Sequence, residues 1–186
     1  MTGRLIYLVG PSGSGKDSVL DAARQTLAAR GWRIARRVIT RSAEAMGEAA
    51  LAVSAAQFEQ MRADGAFAMH WQANGLHYGI PQEIDTWLAQ GHDVLVNGSR
   101  GYLAQARQRY PDLQVVLLTV DENVLRQRLL ARGRELPVEV EARLARNARF
   151  ASEVFDFDAS VLVLDNSGPL ADTVARLLAH LERSCA

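Results

Sequence analysis

The sequence predicts an α/β domain, a parallel five-stranded sheet flanked by helices, on three observations. Five short runs, Leu5–Val9, Trp32–Ile39, Asp93–Asn97, Leu113–Val120 and Ser160–Leu164, read as strands and alternate with stretches of helical periodicity. That alternation is the pattern of parallel strands joined by crossover helices, with helices covering both sheet faces. The first run leads through a glycine-rich turn directly into a helix pattern. The 186 residues are 48% hydrophobic, enough for one real core and in the size range of a single domain.

Taken in order, Leu5–Val9 reads as a buried strand. Lys16 to about Ala29 reads as a helix with Val19, Leu20, Ala23 and Leu27 on one face and Gly31 just past its end. Trp32–Ile39 reads as one strand carrying Arg33, Arg36 and Arg37, and Thr40–Ala50 as a polar loop. Ser54 with Gln57 three residues on is a capping box that opens a helix to about Asp64. Phe67–Gln72 and Leu76–Tyr78 flank Asn74-Gly75, a hairpin signal, so 51–79 reads as a small insertion between parallel units. Pro81 suits the first position of a helix ending at Gly91. Asp93–Asn97 is a strand followed by a helix to about Arg109, and Leu113–Val120 is a strand after which Asp121 caps a helix to about Ala131. A helix from about Val138 to Arg149, the strand Ser160–Leu164 and a helix Leu170–Leu181 complete the chain.

Composition removes several functional classes. Lys plus Arg and Asp plus Glu both number 21, so zero net charge gives no general reason to expect nucleic-acid binding. No apolar run approaches membrane-spanning length, and the N-terminus lacks the pattern of a secretory signal. The single cysteine, Cys185, excludes an internal disulfide and a cysteine-based metal site, and a reducing, cytoplasmic setting fits it.

Chemistry concentrates at Gly10-Pro11-Ser12-Gly13-Ser14-Gly15-Lys16-Asp17, which matches G-x-x-x-x-G-K, the phosphate-binding loop. Glycine adopts backbone angles closed to other residues, so consecutive N–H groups can turn inward around an anion. The helix that follows adds its N-terminal partial charge. Lys16 supplies a compact, movable ammonium, and it is the only lysine in the chain. The pattern asks for Ser or Thr at the next position, and this chain has Asp17. A carboxylate there either reaches Mg²⁺ directly or through water, or turns away to stabilise the helix N-terminus. In a doubly wound sheet ligands sit at the carboxyl ends of the strands. The loop, Thr40-Arg41, Asn97–Arg100 and the Arg132 region all fall at such ends and are expected to share one cleft.

With these residues in view, the chain resembles the guanylate-kinase-like branch of P-loop kinases over nearly its whole length. The resemblance rests on Gly10–Lys16, Thr40-Arg41, Gly47-Glu48, Phe67 to Gly79, Arg132-Gly133-Arg134 and Arg143. Through Gly10–Ser18, Gly75-Leu76-His77-Tyr78-Gly79 and Val94–Arg100 it is similar to the ribose 1,5-bisphosphate phosphokinase family within that branch. The resemblance implies a P-loop kinase fold, with core 1–40, 80–127 and 150–186, an acceptor-binding insertion at about 41–79 and a helical lid at about 128–149. It implies transfer of a phosphoryl group from ATP, with Mg²⁺, to ribose 1,5-bisphosphate, giving 5-phosphoribosyl 1-diphosphate, in a family tied to phosphonate breakdown.

The resemblance also assigns roles. Gly10, Pro11, Ser12, Gly13, Ser14, Gly15, Lys16, Asp17 and Ser18 hold the nucleotide phosphates, with Ser18 one residue beyond the family's usual position and Asp17 the metal candidate. Lys16, Arg132 and Arg143 are the catalytic cations; Arg128 and Arg134 remain open, and Arg146 and Arg149 read as an exposed face with Glu139 and Glu141 as partners. Arg41, His77, Tyr78, Asn97, Ser99 and Arg100 are the acceptor candidates, with hairpin packing the equal alternative for Tyr78; Arg37 reads as a solvated strand residue or as support for an Arg41 phosphate clamp, Trp71 as a core aromatic, and His70 is open. Guanylate kinases carry base-reading carboxylates where this chain has Met69, Asn97 and Ser99, and a neutral side chain where it has Arg100. Lost acids and a gained cation suit a small anionic acceptor better than guanine, whose donors would be left unpaired. An acceptor that is already a phosphate is ionised at neutral pH, so no general base is required, and none is evident. The in-class alternative is a nucleoside-monophosphate kinase, chiefly for GMP. The alternative of another class is a guanylate-kinase-like module that has lost catalysis and binds a protein; the intact glycines, Lys16 and the lid arginines argue against it.

Overall fold

Strand β1 (Leu5–Val9) is buried at every position, so it can pair on both edges and be covered on both faces only as an inner strand. In the computed structural model, which describes residues 2–40, 50–131, 133, 136–154 and 161–183, it is the middle strand of a parallel five-stranded sheet flanked by helices. The order is β2 (Arg33–Ile34), β7 (Val94–Asn97), β1, β8 (Gln114–Thr119), β9 (Leu162–Asp165). Register sets Tyr7 opposite Val96 and Leu8 opposite Asn97, while Val116 lies opposite Leu162. A second, four-stranded sheet has the order β4 (Ala50–Ala52), β3 (Arg37–Ile39), β6 (Leu76–Pro81), β5 (Phe67–Ala73).

The helices are α1 (Lys16–Ala29), α2 (Ala55–Ala63), α3 (Glu83–Ala89), α4 (Leu103–Arg109), α5 (Glu122–Ala131), α6 (Pro137–Val154) and α7 (Leu170–Arg183). The Ser54 capping box forms in both directions: Ser54 Oγ accepts from the Gln57 N–H, and the Gln57 side chain accepts from the Ser54 N–H. The Asp121 carboxylate accepts from the N–H groups of Asn123 and Val124, capping α5. Asn74 and Gly75 take φ of 52° and 73°, the turn geometry that the β5–β6 hairpin requires. Among the described residues no helix is long and apolar enough to cross a membrane.

The chain divides into two compact units, residues 1–8 with 24–114 and residues 9–23 with 115–186. In the first, Val38, Phe58 and Phe67 form a small core beneath the four-stranded sheet, with the two phenyl rings stacked at 4.7 Å. In the second, Leu125 and Leu129 of α5 pack with Val140 and Leu144 of α6.

Two expectations change. Trp32–Ile39 is not one strand: Ala35 N–H donates to the Leu95 carbonyl, ending the pairing of β2 with β7, and the chain then enters the other sheet as β3. Val38 serves the Phe58–Phe67 core rather than the main one, a choice that a continuous β-like run does not encode. The helix predicted from Pro81 starts at Glu83, because Pro81 still closes β6 opposite Phe67.

Gly98, just past β7, is fixed by packing. A Cβ there would collide with the Tyr7 ring, which is fully buried and cannot move aside. Gly98→Ala is expected to lower stability by about 3 kcal/mol or more in denaturant unfolding. Gly101→Ala, whose nearest neighbour would be Ser99 Oγ at 3.8 Å, is expected to stay within about 0.5 kcal/mol of wild type.

Candidate active site

The glycine loop lies wholly in the second unit, between β1 and α1. Gly13 and Gly15 adopt φ of +91° and +94°, left-handed conformations that a side chain would strain. A Cβ on Gly13 would also press to 2.9 Å on Leu125 and Leu129, so the loop rests directly on the α5–α6 core. One on Gly10 would come to 2.5 Å from the Leu118 carbonyl. Ser14 is fully buried, and its N–H donates to the Pro11 carbonyl at 3.1 Å. Lys16 Nζ donates to the carbonyls of Gly10 and Pro11 at 2.8 and 3.0 Å, so the ammonium lies across the loop. The N–H groups of a helix's first turn point toward its N-terminal end, here toward the loop.

Arg143 reaches the same loop. Its Nη1 donates to Ser12 Oγ at 2.8 Å from the middle of α6. The shared core of α5 and α6 fixes the helix that carries it. Arg128 does something else: its Nη2 donates to the Asn166 carbonyl at 2.7 Å, tying α5 to the end of β9. Glu141 pairs with Arg126, and Glu139 accepts from the Leu136 N–H. Arg132 and Arg134 lie outside the described residues, as do Arg41 and Gly47-Glu48.

The acceptor candidates lie in the first unit. Asn97 ends β7 and is buried. Ser99 and Arg100 follow at the start of a 3-10 turn, Arg100–Tyr102, and both are half-buried. The segment is held by Tyr7, whose hydroxyl donates to the Ser99 carbonyl and accepts from the Ser99 N–H, each at 3.0 Å. Burial pushes the Tyr7 phenol far above its ordinary range against the opposing Ser99 backbone bond, so it stays a donor at any working pH. Tyr78 stacks on Trp71 with rings 5° from parallel, and the Arg37 guanidinium lies 5.8 Å from the Tyr78 ring centre. Arg37 is therefore a packed cation rather than a solvated one, and Trp71 is a half-buried ring that also meets Tyr102. Met69 is fully buried and His70 is exposed. Thr40 Oγ1 accepts from the His77 N–H at 2.8 Å, which anchors the residue just before Arg41.

The donor set bears on a metal. Asp17 and Ser18 are exposed on the first turn of α1, and among the described residues no group of three or more His, Cys, Asp or Glu could hold an ion. One carboxylate at a phosphate loop fits Mg²⁺, which keeps several waters and takes its other ligands from phosphate oxygens. It does not fit a dedicated protein cage.

No family model matches the chain. The ribose 1,5-bisphosphate phosphokinase PhnN of Pseudomonas fluorescens is 69% identical over 183 residues, 98% of this chain and 96% of its own. The protein of the same name from Pseudomonas paraeruginosa is 69% identical over the full length of both chains, and that from Azotobacter vinelandii 62%. The chain belongs to the ribose 1,5-bisphosphate phosphokinase family. A guanylate kinase structure from Anaplasma phagocytophilum matches with a TM-score of 0.69 at 17% identity, over 98% of this chain and 86% of its own. At that identity it establishes the fold, that of a P-loop kinase.

Two residues of this phosphokinase-family chain escape a sequence reading of the site. Tyr7 sits inside a strand that reads only as core, and its hydroxyl is what shapes the segment after β7. Asn166 follows the last strand, and its side chain donates to the Ser14 carbonyl inside the loop at 2.7 Å. Only Gly98, directly after a strand, hints at the first; no local pattern points to the second.

Lys16 Nζ meets two loop carbonyls from one point, a geometry that suits a compact ammonium. Lys16→Arg keeps the charge but puts a planar fork where Nζ meets two carbonyls, and it is expected to lose most of the activity without loss of fold. Arg143→Ala is expected to lower kcat by roughly 10³-fold, as for a cation that stabilises a transferring phosphoryl group. Wild-type turnover in either variant, measured by coupled ADP release, would contradict the assignment.

Proposed function

We propose that the chain transfers the γ-phosphoryl group of ATP to the 1-phosphate of ribose 1,5-bisphosphate, forming 5-phospho-α-D-ribose 1-diphosphate and ADP. The observation that carries this reading is the 69% identity to a ribose 1,5-bisphosphate phosphokinase across nearly the whole of both chains. The glycine loop, with Lys16 lying across it and Arg143 on Ser12, supplies what the donor half of such a reaction needs.

An oxygen of the 1-phosphate attacks the γ-phosphorus, the bond from that phosphorus to the bridging oxygen breaks, and ADP leaves. The attacking oxygen is already ionised, so no side chain has to remove a proton. The loop amides and Lys16 hold the β- and γ-phosphates, and Arg143, with Arg132, neutralises the charge that builds on the transferring group. Mg²⁺ supplies further neutralisation when bound to the triphosphate, and Asp17 is the residue that would meet it. Arg41, Tyr78, Asn97, Ser99 and Arg100 hold the acceptor, within an insertion at about 41–79 and the segment after β7. The stretch at about 128–149 acts as the lid that keeps water from the donor.

Acceptor chemistry favours the sugar over a nucleotide. Met69 is buried and apolar, and Asn97 and Ser99 are neutral, so these positions offer no carboxylate to a guanine edge. Arg100 instead adds a cation suited to phosphate.

Phosphorus NMR of purified protein with ATP and Mg²⁺ tests the reading. Signals of 5-phospho-α-D-ribose 1-diphosphate are expected with ribose 1,5-bisphosphate, and no GDP with GMP. GDP formation with no sugar diphosphate would overturn it. Asp17→Ala is expected to raise the Mg²⁺ concentration needed for half-maximal rate; an unchanged requirement and turnover would remove Asp17 from the metal.

A further inference from the structure

We infer that Asn166 is a positioning residue for the donor phosphates: its side chain turns the Ser14–Gly15 peptide so that the Gly15 N–H faces the anion. The inference rests on the reading of Gly10–Ser18 as the donor site, and it concerns a residue that lies about 150 positions away from the loop in sequence.

The geometry starts at the peptide plane. Asn166 Nδ2 donates to the Ser14 carbonyl oxygen at 2.7 Å, in a buried contact. In a trans peptide the carbonyl and the next N–H point to opposite sides of the chain. Holding the Ser14 oxygen toward Asn166 therefore aims the Gly15 N–H away from the protein interior. Gly15 sits at φ +94°, and a Cβ on it would come to 2.6 Å from Asn166 Nδ2. The glycine and the asparagine are thus two parts of one device: the first permits the turned peptide, and the second selects it.

Asn166 can do this because it is itself immobile. It is 3% exposed and Thr173 is 2% exposed. Thr173 Oγ1 lies 2.9 Å from Asn166 Oδ1 and 3.2 Å from the Asp165 carbonyl, and donation to the nearer oxygen favours the amide orientation with Nδ2 toward Ser14. The Asn166 N–H donates to the Thr119 carbonyl at 2.9 Å, pinning it to the end of β8, and its own carbonyl accepts from Arg128 Nη2 at 2.7 Å. A residue whose only task was to fill the core would not need its amide oriented by a second buried polar side chain. Arg128, left open by the sequence, takes its place here as a support of Asn166.

Asn166→Ala removes the donor. Asn166→Asp keeps the shape, but its carboxylate cannot donate to the Ser14 oxygen. Protonated, it can; burial favours that form, while the Arg128 guanidinium on the residue's own carbonyl opposes it. Thr173→Val keeps the donor and removes what orients it.

ATP binding is measured by calorimetry without acceptor, with steady-state kinetics and thermal melting alongside. Asn166→Ala is expected to weaken ATP and raise its KM by roughly tenfold or more, with the KM for ribose 1,5-bisphosphate unchanged. Thr173→Val is expected to show a smaller loss of the same kind. Asn166→Asp, which keeps the shape and loses the donor, is expected to bind ATP poorly at pH 8. Asn166→Asp and Thr173→Val keep the inference testable if the alanine variant does not fold. A lowered melting temperature with ATP affinity and KM unchanged would overturn it. Lys16→Ala separates the two levels. If it loses ATP while the Asn166 variants do not, only the positioning role falls; if Lys16→Ala binds ATP as wild type does, the donor site itself is misplaced and the inference falls with it.

Discussion

A loop can present a row of N–H groups to an anion only if its carbonyls are satisfied somewhere else. In this chain each outward-turned carbonyl for which a contact is described has a named partner. The Gly10 and Pro11 oxygens accept from Lys16 Nζ, Pro11 also accepts from the Ser14 N–H, Ser14 accepts from Asn166, and Gly15 accepts from the Val19 N–H of α1. Unsatisfied carbonyls would cost about 1–3 kcal/mol each and would pull the peptides around to face solvent. The strand before the loop, the helix after it, a lysine and a distant asparagine are therefore one arrangement. The α5–α6 core beneath Gly13 holds the loop from below and carries Arg143 to its rim.

The first unit solves a related problem with a different side chain. Acceptor candidates sit on backbone that leaves β7, and a chain leaving a sheet loses its ladder partners. Tyr7 replaces them by bonding both the N–H and the carbonyl of Ser99 from inside the core. Gly98 is small because the tyrosine ring occupies the space a side chain would need. Around this lie stacked aromatic rings and a guanidinium, Trp71, Tyr78, Tyr102 and Arg37, which give a rigid surface at low entropic cost. Met69, Asn97 and Ser99, beside this surface in the sequence reading, carry no carboxylate.

Much of this was readable in the residues. The Ser54 box, the Asn74-Gly75 turn and the Asp121 cap are local codes, and each holds in the structure, as do the strand before Gly10–Lys16, the helix after it and the left-handed glycines within it. The boundaries of α1 are those its periodicity predicts. What was not readable is long-range. The split of Trp32–Ile39 between two sheets depends on which core Val38 joins, and that core is made by Phe58 and Phe67. Tyr7 and Asn166 act through partners about 90 and 150 positions away, so no window of sequence contains both ends of either contact. Arg37 looked like a surface charge because periodicity does not show which ring a guanidinium will meet.

The central claim is that the backbone of this loop, turned as described, grips the donor phosphates. Selective ¹⁵N-glycine labelling with a titration of Mg²⁺ and ATP reads it directly. The amide signals of Gly13 and Gly15 are expected to shift strongly downfield, while Gly65 and Gly75, which stand in open space elsewhere in the chain, stay in place. Saturable ATP binding with the Gly13 and Gly15 amides unmoved would contradict the claim.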